Sequence, residues 1–88
     1  MEDIDKLVEE DAKIEAAVLR QLLALHPVQL TLDEVVREVG GEEEDGFGLR
    51  DAVERAVREL AAAGLVHHSG EVVLPSRAAL RFEQLLEG

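Results

Sequence analysis

Residues 49–74, LRDAVERAVRELAAAGLVHHSGEVVL, are the stretch that decides the fold. The first part has apolar residues at helical spacing, namely Leu49, Val53, Val57 and Leu60. Gly64 follows this repeat at the position of a helix C-cap, where a glycine readily adopts the left-handed conformation. The second part has two β-prone tetrads, 65–68 and 71–74, around the two-residue turn Ser69-Gly70. The stretch therefore predicts a helix over about 49–63 followed by a β-hairpin.

The first helix is predicted over residues 12–25, where apolar side chains recur at three- and four-residue spacings before Pro27. Upstream, residues 1–11 are acidic and repeat the helical spacing until Glu9, Glu10 and Asp11 interrupt it. This segment is either an extension of the first helix or a separate short element, and the pattern leaves both open. We take residues 1–11 as an acidic N-terminal segment and residues 12–88 as one domain.

A second helix is predicted over about residues 32–39, after a short strand over 28–30. The sequence Thr31-Leu32-Asp33-Glu34 has the form of a capping box, in which the Thr31 and Glu34 side chains each accept from a backbone N–H. Gly40-Gly41 provides the end of this helix.

The last helix is predicted to begin after Ser76, which serves as its N-cap. Its apolar residues fall on one stripe, which we expect to face the core: Ala78, Ala79, Phe82, Leu85 and Leu86. The predicted order of elements is therefore α-β-α-α-β-β-α, a mostly helical member of the α+β class.

The acidic run between the second and third helices predicts a surface loop over residues 42–48, because four acids and two glycines do not bury together. A calcium loop with Gly46 at its sixth position has Gly41 first and Ala52 twelfth, where carboxylate ligands are required. The EF-hand pattern therefore fails. We expect no metal and no cofactor.

The composition excludes several classes of protein. With 88 residues and no cysteine, the chain is expected to be one domain stabilised by packing, without disulfides or a thiolate zinc site. No apolar run approaches the roughly 20 residues of a membrane span, and the acidic start differs from a secretory signal. We therefore expect a cytoplasmic protein that does not contact a membrane. No nucleophile elbow, Walker loop or dinucleotide fingerprint is present, so we expect no enzyme.

The negative charge is concentrated in the N-terminal half. The chain has a formal net charge of −11; residues 1–49 hold 14 acids and 4 bases, net −10, and residues 50–88 hold 6 acids and 5 bases, net −1. Such a charge repels nucleic acid at long range. It favours a basic protein as the partner of the N-terminal half.

The stretch Val57–Val66, with its run of small residues before Gly64-Leu65, resembles the broad winged helix-turn-helix superfamily, as in small bacterial regulators of the MarR, ArsR and PadR type. Gly70 in the hairpin turn and Pro75-Ser76 before the last helix extend the resemblance over roughly residues 12–88. It implies a winged helix of three helices, a β-hairpin wing and a C-terminal helix. Such regulators commonly pair through their terminal helices, which implies a homodimer through the N- and C-terminal helices.

The resemblance implies that the 49–63 helix enters the major groove and that the wing approaches the backbone. The candidate DNA contacts are then Arg50, Arg55, Arg58, His67 and His68. The wing turn has no lysine or arginine, however, and an acidic loop precedes the helix.

These candidates also have interpretations that involve no function. Asp51 precedes Arg55 by four residues and Glu54 precedes Arg58 by four, so local ion pairs could neutralise the helix surface. His67 and His68 are adjacent on a predicted strand and point to opposite faces, so they cannot share one ion.

We keep two functional hypotheses at this point. The first is a small DNA-binding protein, a transcriptional regulator whose 49–63 helix recognises DNA. The alternative is an acidic protein-protein interaction module of the same fold that does not bind DNA. An exposed His68 would make the affinity for either partner depend on pH.

Overall fold

Four helices and three short strands make up the part of the chain that the structure, a computed structural model, describes. It describes the backbone of residues 2–41 and 46–87, and the side chains of residues 10–41 and 48–87. The elements follow in the order α1 (Glu2–Leu25), β1 (Leu30–Thr31), α2 (Leu32–Gly40), α3 (Gly46–Ala62), β2 (Val66–Ser69), β3 (Val72–Pro75) and α4 (Arg77–Glu87). The predicted α+β class, mostly helical with a small sheet, is confirmed.

The three strands form one antiparallel sheet in the order β1-β3-β2. Val73 lies in the central strand, opposite Leu30 on one side and His68 on the other. These three residues form a row on one face of the sheet, because directly opposed residues share a face. The row passes from the buried Leu30 and Val73 to the exposed His68.

The core lies where α1, α2 and α3 meet the inner face of this sheet. Valines and leucines dominate it, and each helix contributes at least one side chain that is almost fully buried: Val18 and Leu22 from α1, Val35 from α2, and Val53 and Val57 from α3. Burying such side chains stabilises the fold by about 1.5–3 kcal/mol each. No disulfide is needed in this arrangement.

The ends of α2 and α3 are built by local hydrogen bonds. Thr31 and Glu34 form the predicted capping box, since the Glu34 N–H donates to Thr31 Oγ1 at 3.2 Å and the Thr31 N–H to Glu34 Oε1 at 2.9 Å. At the end of α3, the Leu65 N–H donates to the Leu60 carbonyl at 2.8 Å. Gly64, with φ of +82°, makes the left-handed turn that this bond requires.

The observed boundaries decide one alternative that the sequence left open and correct two predictions. Residues 2–25 form one continuous helix, so the acidic N-terminal segment extends α1 and is not a separate element. The acids 42–45 of the predicted loop lie outside the described residues, but Gly46–Gly48 belong to α3 and not to a loop. The predicted strand over 28–30 is also displaced, because β1 is Leu30–Thr31.

The hairpin is shifted by one residue from its prediction. Ser69 pairs with Val72, so the turn is Gly70-Glu71 and not Ser69-Gly70. Gly70 has φ of +60°, which explains why a glycine occupies the first turn position. The two strands are consequently 66–69 and 72–75.

The fourth helix begins as predicted, but most of its apolar residues do not face the core. The Ala79 N–H donates to Ser76 Oγ at 3.1 Å, which confirms the N-cap. Of the predicted apolar stripe, however, Ala79 alone is buried. Phe82, Leu85 and Leu86 are 60%, 61% and 72% exposed, so the expectation that this stripe faces the core is wrong.

No helix among residues 2–41 and 46–87 has both the length and the apolar character that crossing a membrane requires.

Candidate functional site

The candidate contacts lie on the outward face of α3 and on the neighbouring strand β2. Arg50, Glu54 and Arg58 follow one another at four-residue spacing, which places them along one side of α3. That side borders the start of α2 and the hairpin. Arg55 lies on another side of the helix, next to α1.

Arg50 is held by two carboxylates. Its Nη1 donates to Asp33 Oδ1 at the start of α2, and its Nε lies 3.3 Å from Glu54 Oε1 on its own helix. The hydrogen bond from Arg50 to Asp33, with the negative charge of that carboxylate, raises the pKa of Arg50. The positive charge of Arg50 is therefore already paired with two carboxylates of the chain itself.

Arg55 also has a carboxylate partner from a distant part of the chain. Its Nη2 lies 3.5 Å from Asp11 Oδ1, which belongs to the acidic end of α1. Glu15 and Glu59 line the same hollow between α1 and α3. Arg58 lines this hollow as well, so the three carboxylates lie near both Arg55 and Arg58.

The local pairs predicted from sequence are wrong. Among the described side chains, neither Asp51 with Arg55 nor Glu54 with Arg58 is an ion pair. Glu54 binds Arg50, one turn earlier, and Arg55 turns to α1. Acids interleave the arginines as expected, but most of these acids come from other elements.

Arg58 and His68 line one shallow groove. Its other lining residues are Leu32, Val57 and Glu54. Within residues 10–41 and 48–87, Arg58 makes no ion pair within 4 Å. A second hollow, which shares Leu32 and His68 with the first, continues toward the hairpin turn and Asp33. His68 therefore lies between the two arginines of this side of α3.

His67 is directed away from this groove, because successive side chains of a strand alternate between faces. The structure thus places three of the five sequence-predicted residues, Arg50, Arg58 and His68, along one side of α3, and it separates Arg55 and His67 from them. Three or more metal-ligating side chains do not converge anywhere among the described residues.

The sequence predicted a dimer through the terminal helices, but it did not predict that the apolar residues on one side of α4 are exposed. The apolar spacing of Phe82, Leu85 and Leu86 was visible in the sequence, but it was assigned to the core. The large exposure of these side chains is what distinguishes an unoccupied apolar face from a core face. We refer to these three residues as the α4 apolar face.

Comparison with known proteins adds no family to this description. The chain matches no family model, no curated protein and no solved structure.

Proposed function

We propose that this chain is a winged-helix domain that acts by binding proteins, not by recognising DNA and not as an enzyme. The winged-helix assignment is supported by the order of the elements and by the antiparallel hairpin that follows α3. In this assignment α2 and α3 are the helix-turn-helix and β2-β3 is the wing. We place the domain in the cytoplasm, on its composition.

One observation carries the choice of protein over DNA. Two of the three arginines on α3, Arg50 and Arg55, are ion-paired with Asp33 and Asp11, which come from other helices. A helix that binds DNA must present positive charge to phosphates. Here the acids are interleaved with the arginines, on a chain with a net charge of −11.

The α4 apolar face supplies the contact surface, and its proposed occupant is a second copy of the chain. The N- and C-terminal helices adjoin each other there, because a groove between α1 and α4 is lined by Arg20, Gln21, Leu23 and Glu83, with small residues between them. A twofold axis would cover both apolar faces at once.

The acidic N-terminal half is then available for a basic partner. Where α1 meets α3, the carboxylates of Asp11, Glu15 and Glu59 outnumber the guanidinium groups of Arg55 and Arg58. Such a surface increases the rate of encounter with a positively charged protein and suppresses encounters with polyanions.

Sedimentation velocity of the purified chain tests this proposal. We expect a concentration-dependent shift from monomer to dimer, which the exchange of Leu86 for lysine abolishes. A lysine at the neighbouring exposed position Gln84 introduces an equivalent positive charge outside the α4 apolar face, and it should leave the dimer intact. A chain that stays monomeric at millimolar concentration contradicts self-association through α4.

A second function, DNA binding by a transcriptional regulator, is favoured by one feature. Arg58 and His68 lie on the same groove, so α3 and the wing strand could contact one phosphate backbone together. This function requires salt-sensitive binding to duplex DNA that is weakened by Arg58→Ala.

A further inference from the structure

The groove between α2, α3 and β2 combines an apolar floor with polar walls. Its floor is apolar, since Val57 is 1% exposed and Leu32 packs against the core. Arg58 and His68 provide nitrogen donors on its walls. An apolar floor keeps water from one side of a bound charge, and this strengthens electrostatic contacts.

The charged side chains around the groove differ in whether they already form ion pairs. Glu54 is the acid in the groove, and its Oε1 already accepts an ion pair from Arg50 at 3.3 Å. Asp33, at the far end beyond His68, accepts from the same guanidinium. Arg58 has no carboxylate within 4 Å among the described side chains. Arg58 is therefore the guanidinium that can accept a new anionic partner there.

We propose that this groove binds a single phosphate group, with Arg58 as its principal ligand and His68 as a second donor. A guanidinium presents several N–H groups in a plane that fits two oxygens of a phosphate. A neutral imidazole donates one N–H and a protonated one donates two. The inference goes beyond the proposed self-association, because it involves α2, α3 and β2 and does not depend on α4.

The histidines make this proposal directly measurable. The chain has three of them, His26 at the end of α1, His67 on the outer face of β2, and His68 in the groove. Their imidazole C–H signals are followed by NMR while inorganic phosphate is added at fixed pH near 6 and constant ionic strength. We expect a saturable shift of the His68 signal, with much smaller changes at His67 and His26.

Two variants of equal charge provide the control. Arg58→Gln should weaken phosphate binding at least about tenfold, because a charge-assisted hydrogen bond is lost. Arg55→Gln removes the same charge from the same helix outside the groove, and it should change the affinity by less than about twofold. Equal weakening by both variants, a shift of His67 as large as that of His68, or no saturable shift overturns the site.

A short duplex added in place of phosphate distinguishes the source of the phosphate group. If the duplex shifts His68 at far lower concentration than inorganic phosphate does, the ligand is a DNA backbone and the second function gains support. If the duplex is no better than phosphate, the site is for a small phosphorylated molecule. Sedimentation of the same samples tests the proposed self-association separately.

Discussion

Truncation of Leu85 to alanine is expected to disrupt self-association without unfolding the monomer. Leu85 is 61% exposed in the α4 apolar face, so a partner that covers it removes a large apolar area from water. Full burial of a leucine side chain is worth about 1.5–3 kcal/mol, so covering the exposed part contributes about 1–2 kcal/mol. In a twofold dimer the change occurs twice, which gives about 2–4 kcal/mol and a roughly 30- to 700-fold weaker dimer.

Sedimentation equilibrium over a series of concentrations measures this change in dissociation constant. Gln84→Ala is the matched control, because Gln84 is an exposed neighbour on the same helix but lies outside the α4 apolar face. In urea titrations both variants should keep the stability of the parent monomer within about 0.5 kcal/mol, as is usual for surface positions. Equal dissociation constants for Leu85→Ala and Gln84→Ala would refute the assignment of this face to the dimer.

Three further outcomes follow from the core, the capping box and the ion pairs. Thr31→Ala should lower the free energy of unfolding by about 0.5–2 kcal/mol in urea, while Thr31→Ser, which keeps the cap oxygen, should not. Leu22→Ala, at a position that is 2% exposed, should lower the free energy of unfolding by about 2–5 kcal/mol. Leu23→Ala, at a half-buried position, should lower it clearly less, and similar losses for both variants would contradict the described core. Asp33→Asn removes one of the two carboxylates that hold Arg50 and should raise the affinity for duplex DNA. Asp51→Asn, an acid without an ion pair among the described residues, should raise it less, and equal effects would show that net charge alone matters.

Local signals in the sequence predicted the parts of the fold that depend on local hydrogen bonds. The capping box of Thr31 and Glu34 and the N-cap Ser76 are confirmed, because each requires residues three apart in the chain. The position of Gly64 just after the end of α3 is also confirmed, because this turn too depends on hydrogen bonds within a few residues. The hairpin lies one residue away from its predicted position, because turn propensity alone does not distinguish Ser69-Gly70 from Gly70-Glu71, and in the structure Ser69 pairs with Val72.

The orientation of α4 and the ion pairs of α3 could not be predicted in this way. An apolar stripe shows that one face of a helix avoids water, but it does not show what covers that face. Phe82 was therefore placed in the core, although it is 60% exposed. Similarly, four-residue spacing suggests partners within one helix, whereas Asp11 and Asp33 reach α3 through the tertiary fold. The candidate arginines were identified from the sequence, but their partners were not.

We propose that the acids around α3 prevent it from serving as a DNA-binding helix. Fluorescence anisotropy of a pool of random duplex DNA, titrated with the protein at about 50 mM and about 200 mM salt, tests it most directly. We expect no binding beyond weak association at the lower salt. Tight binding that falls steeply between the two salt concentrations, and that Arg58→Ala and Arg55→Ala abolish, would contradict the claim and establish the DNA-binding function instead.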